Sequence, residues 1–162
     1  MSNVYMTGAS GRLGRVVAQT LTDRGDTISY RGNPCSYMVF THRYRGAENF
    51  TMEMAVNVES IANTIDEAVW EGEDRAIVIV SSVNADTPAL NQSLGYNCSK
   101  AALNNLARMC ALKRQVRINT VSPDTFTTDT PKVSKQQVAD VIAFLCSPQA
   151  SGINGEDIKV RG

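Results

Sequence analysis

The stretch Ala76–Val80, Ala-Ile-Val-Ile-Val, constrains the fold more than any other in the chain. It is uninterrupted, apolar and mostly β-branched, with no polar residue to meet water at alternate positions. A strand of that kind is buried on both faces, as in the centre of a parallel sheet covered by helices. The rest of the chain alternates as such a sheet requires. Strand-like segments occupy residues 3–7, 27–31, 37–41, 116–121 and 158–160. Between them run helical patterns: one from the glycine-rich turn to about Arg24, one over 51–71, one from Tyr96 to about Lys113, and one from Ser134 to about Cys146. Met54, Val58, Ile61, Ile65 and Val69 give the second an apolar stripe. Ser134 to Gln137 reads as a capping box that starts the last. The expected class is α/β: a doubly wound, mostly parallel sheet of about six strands with helices on both faces.

The 162 residues suit a single domain, 1–162, with one sizeable core. Lys+Arg and Asp+Glu balance at 16 each, so no global field attracts nucleic acid or an anionic membrane. No apolar run approaches the ~20 residues that span a bilayer, and no signal-peptide pattern opens the chain. Neither nucleic acid nor membrane is expected as a partner. Cys35, Cys98, Cys110 and Cys146 are scattered, without a Cys-x-x-Cys, which fits neither a zinc knuckle nor a disulfide scaffold. A reducing, cytoplasmic setting is the expectation. His42 is the sole histidine, which argues against a histidine-rich metal site and against a Ser-His-Asp triad. The basic cluster His42-Arg43-Tyr44-Arg45 reads as a solvated loop or the rim of an active site.

Three further features carry chemistry. First, Thr7-Gly8-Ala9-Ser10-Gly11-Arg12-Leu13-Gly14 joins a strand to a helix. Glycines let backbone approach a ligand, and the new helix offers unpaired N–H groups and a positive dipole end, which suits a pyrophosphate. Second, Tyr96 and Lys100 are four apart and meet on one helix face. An ammonium near a phenol favours the phenolate, and a phenol so tuned transfers protons near neutral pH. Third, Ser81-Ser82 ends the apolar strand, and Ser122-Pro123 ends the next one. Ligands of doubly wound sheets sit beyond the carboxyl ends of the strands, where strand order reverses. The glycine turn, Ser82, Tyr96 and Pro123 all follow strand carboxyl ends and therefore converge. Asn57 lies beside an apolar helix stripe and needs a partner there. It reads as a satisfied helix asparagine or as a water or backbone clamp under the site.

With these residues assembled, the chain resembles a short-chain dehydrogenase/reductase with a Rossmann-like fold. The glycine turn, spaced Gly-x-x-Gly-x-x-Gly, is nearer the extended and atypical branches than the usual pattern. Ala55-Val56-Asn57-Val58 resembles the family's asparagine segment, Ile79-Val80-Ser81-Ser82 its serine strand, and Tyr96-Asn97-Cys98-Ser99-Lys100 its Tyr-x-x-x-Lys helix. Arg117 to Pro123 matches its next strand, and 138–155 its last helix and turn. The chain is short for the family. A strand and about two helices are missing on the second-strand side, and Val39 to Tyr44 stands where the family has a strand followed by Asn-Asn-Ala-Gly. Residues 32–36 are too few for an ordinary parallel crossover, so this link either runs over the sheet without a helix or makes a hairpin of residues 27–41.

The resemblance implies hydride transfer between a nicotinamide cofactor and a small carbonyl or secondary alcohol. It implies Tyr96 as general acid/base and Lys100 as its electrostatic partner and holder of the nicotinamide ribose. Ser82 donates to the substrate oxygen, with Ser81 as fallback, and Asn57 holds a water. Gly8, Ser10, Gly11, Arg12, Leu13, Gly14, Pro123, Phe126 and Thr128 line the cofactor. The alternative is a catalytically degenerate nucleotide-binding or regulatory module, which the shortening and Asp124 after Pro123 favour. The second strand ends Ser29-Tyr30-Arg31-Gly32 without an acid at its tip. Arg31, with Arg12, therefore favours NADP(H) over NAD(H). Apolar residues beyond one helix face, Trp70 and Met109 among them, suggest a homodimer or homotetramer.

Overall fold

The computed structural model describes residues 1–125 and 130–162. Phe126 and Thr128, which the resemblance places on the cofactor, lie outside the described residues. Six strands form one sheet: β1 (Asn3–Thr7), β2 (Thr27–Ser29), β3 (Tyr37–Phe40), β4 (Ala76–Val80), β5 (Arg117–Pro123) and β6 (Asp157–Val160). Their order is β2-β1-β3-β4-β5-β6 and every pairing is parallel. The chain runs outward from β1 to β2, then returns to β3 on the other side of β1. Strand order thus reverses between β1 and β3, which opens a crevice at their carboxyl ends.

Side-chain alternation along the strands builds a core on each face. Val4, Met6, Tyr37, Val39, Ala76, Val78 and Val80 pack under α1 (Arg12–Asp23) and α5 (Lys135–Leu145), which supply Leu13, Val17, Leu21, Val138 and Ile142. Met38, Phe40, Ile77, Ile79 and Ile118 face the other way. They meet Ile61 and Ile65 of α3 (Ser60–Asp66) and Leu103 and Ala107 of α4 (Leu94–Lys113). The continuous apolar run of β4 is the strand that must feed both cores, and all five of its residues are buried. The helix expected over 51–71 is three pieces: α2 (Phe50–Met54), a π-helical turn (Ala55–Glu59) and α3. It stops at Asp66. Val69 and Trp70 therefore lie beyond it, and Trp70 packs on the second core instead of extending a helix face.

The link between β2 and β3 is not a hairpin. It crosses above β1 without a helix, and the register shows why seven residues suffice. Ser29 pairs level with Tyr5 and Tyr37 level with Val4, so the chain retreats by only one step along the strands. The sideways distance is about two strand spacings, ~10 Å, well within the ~23 Å reach of seven residues. The end of the link is zipped down: Ser36 N–H bonds the Asn3 carbonyl, and Cys35 exchanges backbone bonds with Val69 and Glu71. Among the described residues, no helix is long and apolar enough to cross a membrane.

At the amino end of the sheet, Arg117 ties β5 to the exit of α5. Its guanidinium bonds the Leu145, Ser147 and Ala150 carbonyls at 3.0–3.2 Å and the Asp74 carboxylate at 2.9 Å. Asp74 in turn accepts from the Tyr37 hydroxyl at 2.5 Å. Removing the guanidinium orphans several half-buried acceptors at once, so Arg117→Ala is expected to cost about 2–4 kcal/mol. Denaturant midpoints at constant slope measure that loss.

Candidate active site

The glycine turn follows β1 because only glycines fit the approach of its neighbours. Gly8 has φ +74°, and a Cβ there would lie 2.6 Å from Thr41 Oγ1 and 2.8 Å from the His42 nitrogen. A Cβ on Gly14 would lie 1.9 Å from the Gly8 carbonyl oxygen. Both residues are therefore dictated by packing of the β1 tip on β3 and α1. Gly11 differs. It begins α1, and the first N–H groups of the helix lie at the cleft with no side-chain cap among the described residues.

That cleft holds about 550 Å³ and joins the turn, Gly8 and Ser10 to Gly14, to Ser82, Tyr96, Lys100 and Pro123. The structure thus brings together nearly all the described residues singled out from sequence. Ser81 and Ser82 are separated by their partners. Ser81 Oγ is buried and donates to the Lys100 carbonyl at 3.1 Å. Ser82 Oγ accepts from the Asn84 N–H at 3.2 Å, and among the described residues its own proton has no acceptor. Tyr96 is half-buried on the first turn of α4, with Lys100 Nζ 5.7 Å from its ring centroid. Lys100 is 3 % exposed and donates to the Val80 carbonyl at 2.9 Å. Burial, and then the charge of Arg43, pushes its pKa down to about 7.

Asn57, 1 % exposed, sits beneath the cleft rather than on it. Its Oδ1 accepts from the Tyr44 N–H at 2.6 Å and its Nδ2 donates to Ser99 Oγ at 2.9 Å. Ser99 Oγ is 2.9 Å from the Tyr96 carbonyl. Asn57 is thus a clamp between the loop after β3 and the Tyr96 helix, with both side-chain atoms spent on protein. Arg31 is not at the cleft. It pairs with Glu67 at the surface and lines a separate small pocket with Tyr5, Cys35 and Met38. The sharp turn into the helix-free link carries it to that side.

Sequence reading left the basic cluster open between a solvated loop and a rim, and did not name Ser93 or Glu53. His42 lies at the cleft, where Nε2 faces the Val56 carbonyl of the π-turn at 3.0 Å and Nδ1 faces Thr7 Oγ1 at 2.6 Å. A carbonyl only accepts, so Nε2 carries the proton and Nδ1 accepts from Thr7. Burial, and the charge of Lys100, lower its pKa and favour the neutral ring, against the opposing pull of the Val56 carbonyl. Arg43 and Arg45 also line the cleft, which makes the basic cluster a rim. Under Tyr96, Ser93 caps α4, accepting from the Tyr96 N–H at 3.0 Å and donating to Glu53 at 2.6 Å. A serine three residues before Tyr96 is a readable cap signal. The buried Glu53 has none, since only the packing of α2 on α4 brings it there.

A family model described as enoyl-(acyl carrier protein) reductase matches residues 42–136. The chain belongs to the short-chain dehydrogenase/reductase family. It is 35% identical over 136 residues to the human dehydrogenase/reductase SDR family member 2, mitochondrial, a match covering 67% of this chain and 48% of that protein. The chain spans about half the length of the curated relatives it matches. Among solved structures, it resembles the 3-alpha-hydroxysteroid dehydrogenase of Pseudomonas sp. B-0831, complexed with NADH, with a TM-score of 0.80, 24% identity and coverage of 98% of this chain and 94% of that one. It also resembles BdcA in complex with NADPH, with a TM-score of 0.82, 20% identity and coverage of 98% and 92%. These likenesses confirm the doubly wound fold. The order β2-β1-β3 shows where this member is short: among the described residues no strand lies outside β2, and no helix links β2 to β3.

The buried lysine has a consequence for stability. Its folded pKa lies below the ordinary 10.5, so between about pH 7 and 10 the unfolded chain binds the extra proton. The Lys100 contribution to stability therefore rises with pH through that window and is lost as pH falls to 7. Lys100→Met is expected to gain on the parent at pH 7 and to lose that advantage by pH 10, as read from paired urea midpoints.

Proposed function

We propose that the chain is an NADP(H)-dependent oxidoreductase that interconverts a small carbonyl compound and its secondary alcohol. The observation that supports this best is the meeting, on one cleft, of the uncapped start of α1 with Ser82, Tyr96 and Lys100. The donor set fits a dinucleotide. The open N–H groups after Gly11 suit a pyrophosphate, and Arg12 and Arg45 add positive charge beside them. A nicotinamide supplies or accepts the hydride. Tyr96 gives its phenolic proton to the carbonyl oxygen as that oxygen gains charge, and recovers it in the reverse direction. Lys100, when protonated, stabilises the phenolate left behind and holds the nicotinamide ribose. Ser82 donates its unassigned proton to the same substrate oxygen. Asn57 keeps the Tyr44 loop and the Ser99 turn in register. The preference for NADP(H) rests on Arg12 and Arg45 and on the absence of an acid at the tip of β2, no longer on Arg31.

Phe50 and Met52 of α2 and Met109 and Leu112 of α4 are exposed large apolar residues, and support self-association as a homodimer or homotetramer. Tyr96→Phe keeps the ring and deletes the proton. It is expected to lower turnover by about 10²-fold or more while the Kd for NADPH moves less than about twofold. Turnover near the parent level counts against Tyr96 as the acid. The shortened second-strand side favours a second reading, a nucleotide-binding module without turnover. Cofactor binding with no reduction across a carbonyl panel selects that one.

A further inference from the structure

The loop after β3 sets a guanidinium beside the acid/base residue. Arg43 Cζ lies 5.6 Å from the Tyr96 ring centroid, about as close as Lys100 Nζ. Two cations thus share one phenol, and like charges at this range repel. Among the described residues, the charged groups lining the cleft are Arg12, Arg43, Arg45, Lys100 and a single carboxylate, Asp124. Asp124 faces Lys132, with 3.4 Å between Oδ2 and Nζ. Among the described residues no carboxylate pairs with Arg43. The guanidinium lies near the ring, and among the described residues its N–H donors make no hydrogen bond, leaving unspent the fork that matches a carboxylate. Arg12 and Arg45 stand with the glycine turn; Arg45 Nη2 is 3.9 Å from where a Gly11 Cβ would be. Arg43 stands with the reacting groups.

We propose that Arg43 is a specificity-determining residue that selects oxo acids, with the carboxylate one or two carbons from the carbonyl that Tyr96 and Ser82 receive. The assignment rests on the oxidoreductase reading above. In the reduction, hydride passes from the reduced nicotinamide to the carbonyl carbon and the Tyr96 proton to its oxygen. The products are the hydroxy acid and oxidised nicotinamide. The carboxylate remains unchanged on Arg43 throughout.

Matched substrates test it: acetoacetate against methyl acetoacetate, and pyruvate against methyl pyruvate, each with NADPH. The parent is expected to favour an acid over its ester by at least about 10-fold in kcat/KM, and Arg43→Met to lower that ratio by about 30-fold, the scale of a charge-assisted bidentate contact. Arg43→Lys restores part of it. A parent that prefers esters overturns the proposal, as does equal loss for acid and ester. So does weaker NADPH binding in Arg43→Met with an unchanged acid-to-ester ratio, which places the guanidinium on cofactor phosphate. If no carbonyl turns over, calorimetry with acetoacetate and NADP decides. Binding that Arg43→Met abolishes supports the anion site while the oxidoreductase reading fails, and no binding by the parent overturns both.

Discussion

The site depends on a lysine buried at the end of a strand. Lys100 Nζ bonds the Val80 carbonyl, and Ser81 Oγ bonds the Lys100 carbonyl, so α4 is tied to the tip of β4 from both ends of one residue. Burying an ammonium is costly, and one backbone carbonyl repays only part of that cost. The depressed pKa of Lys100 records the remainder. The protein tolerates it because the two apolar cores hold β4 and α4 in place regardless. Perturbed, buried groups of this kind cluster at functional sites.

A second clamp compensates for what the chain lacks. With no strand outside β2 among the described residues and no helix between β2 and β3, the loop following β3 has little scaffold of its own. It is fixed instead from below. Asn57 takes the Tyr44 N–H, and His42 spans from Thr7 on β1 to the Val56 carbonyl in the π-turn. The π-turn is what makes this work. It widens the helix at residues 55–59 and brings Asn57 and the Val56 carbonyl to that loop. Gly95 closes the assembly from the other side, since a Cβ there would meet the Glu53 carboxylate at 2.9 Å.

Much of this was legible in the residues, for local reasons. Five apolar residues in a row cannot form a half-exposed strand, and Tyr-x-x-x-Lys cannot avoid sharing a helix face. The serine pair and Ser-Pro that close two strands had to lie at the same end of a parallel sheet. The capping box at Ser134 is present as read. Each inference needed only backbone periodicity and the rule that parallel strands point one way.

Sequence therefore determined the class of fold, the order of its elements and much of the membership of the cleft, though not the places of Arg31 and Asn57. Tertiary structure alone decided how the charges are spent. Arg31 and Arg43 are equally basic in sequence, yet one is neutralised by Glu67 and the other faces Tyr96 without a carboxylate partner among the described residues. Ser81 and Ser82 are neighbours, yet one spends its proton on the Lys100 carbonyl and the other has no acceptor for its own among the described residues. The crossover of residues 30–36 was undecidable until register placed Ser29 and Tyr37 one step apart. The reason is common to all three. Which partner a polar group meets is set by contacts between residues far apart in the chain, and those follow from strand register and helix packing, which local pattern does not encode.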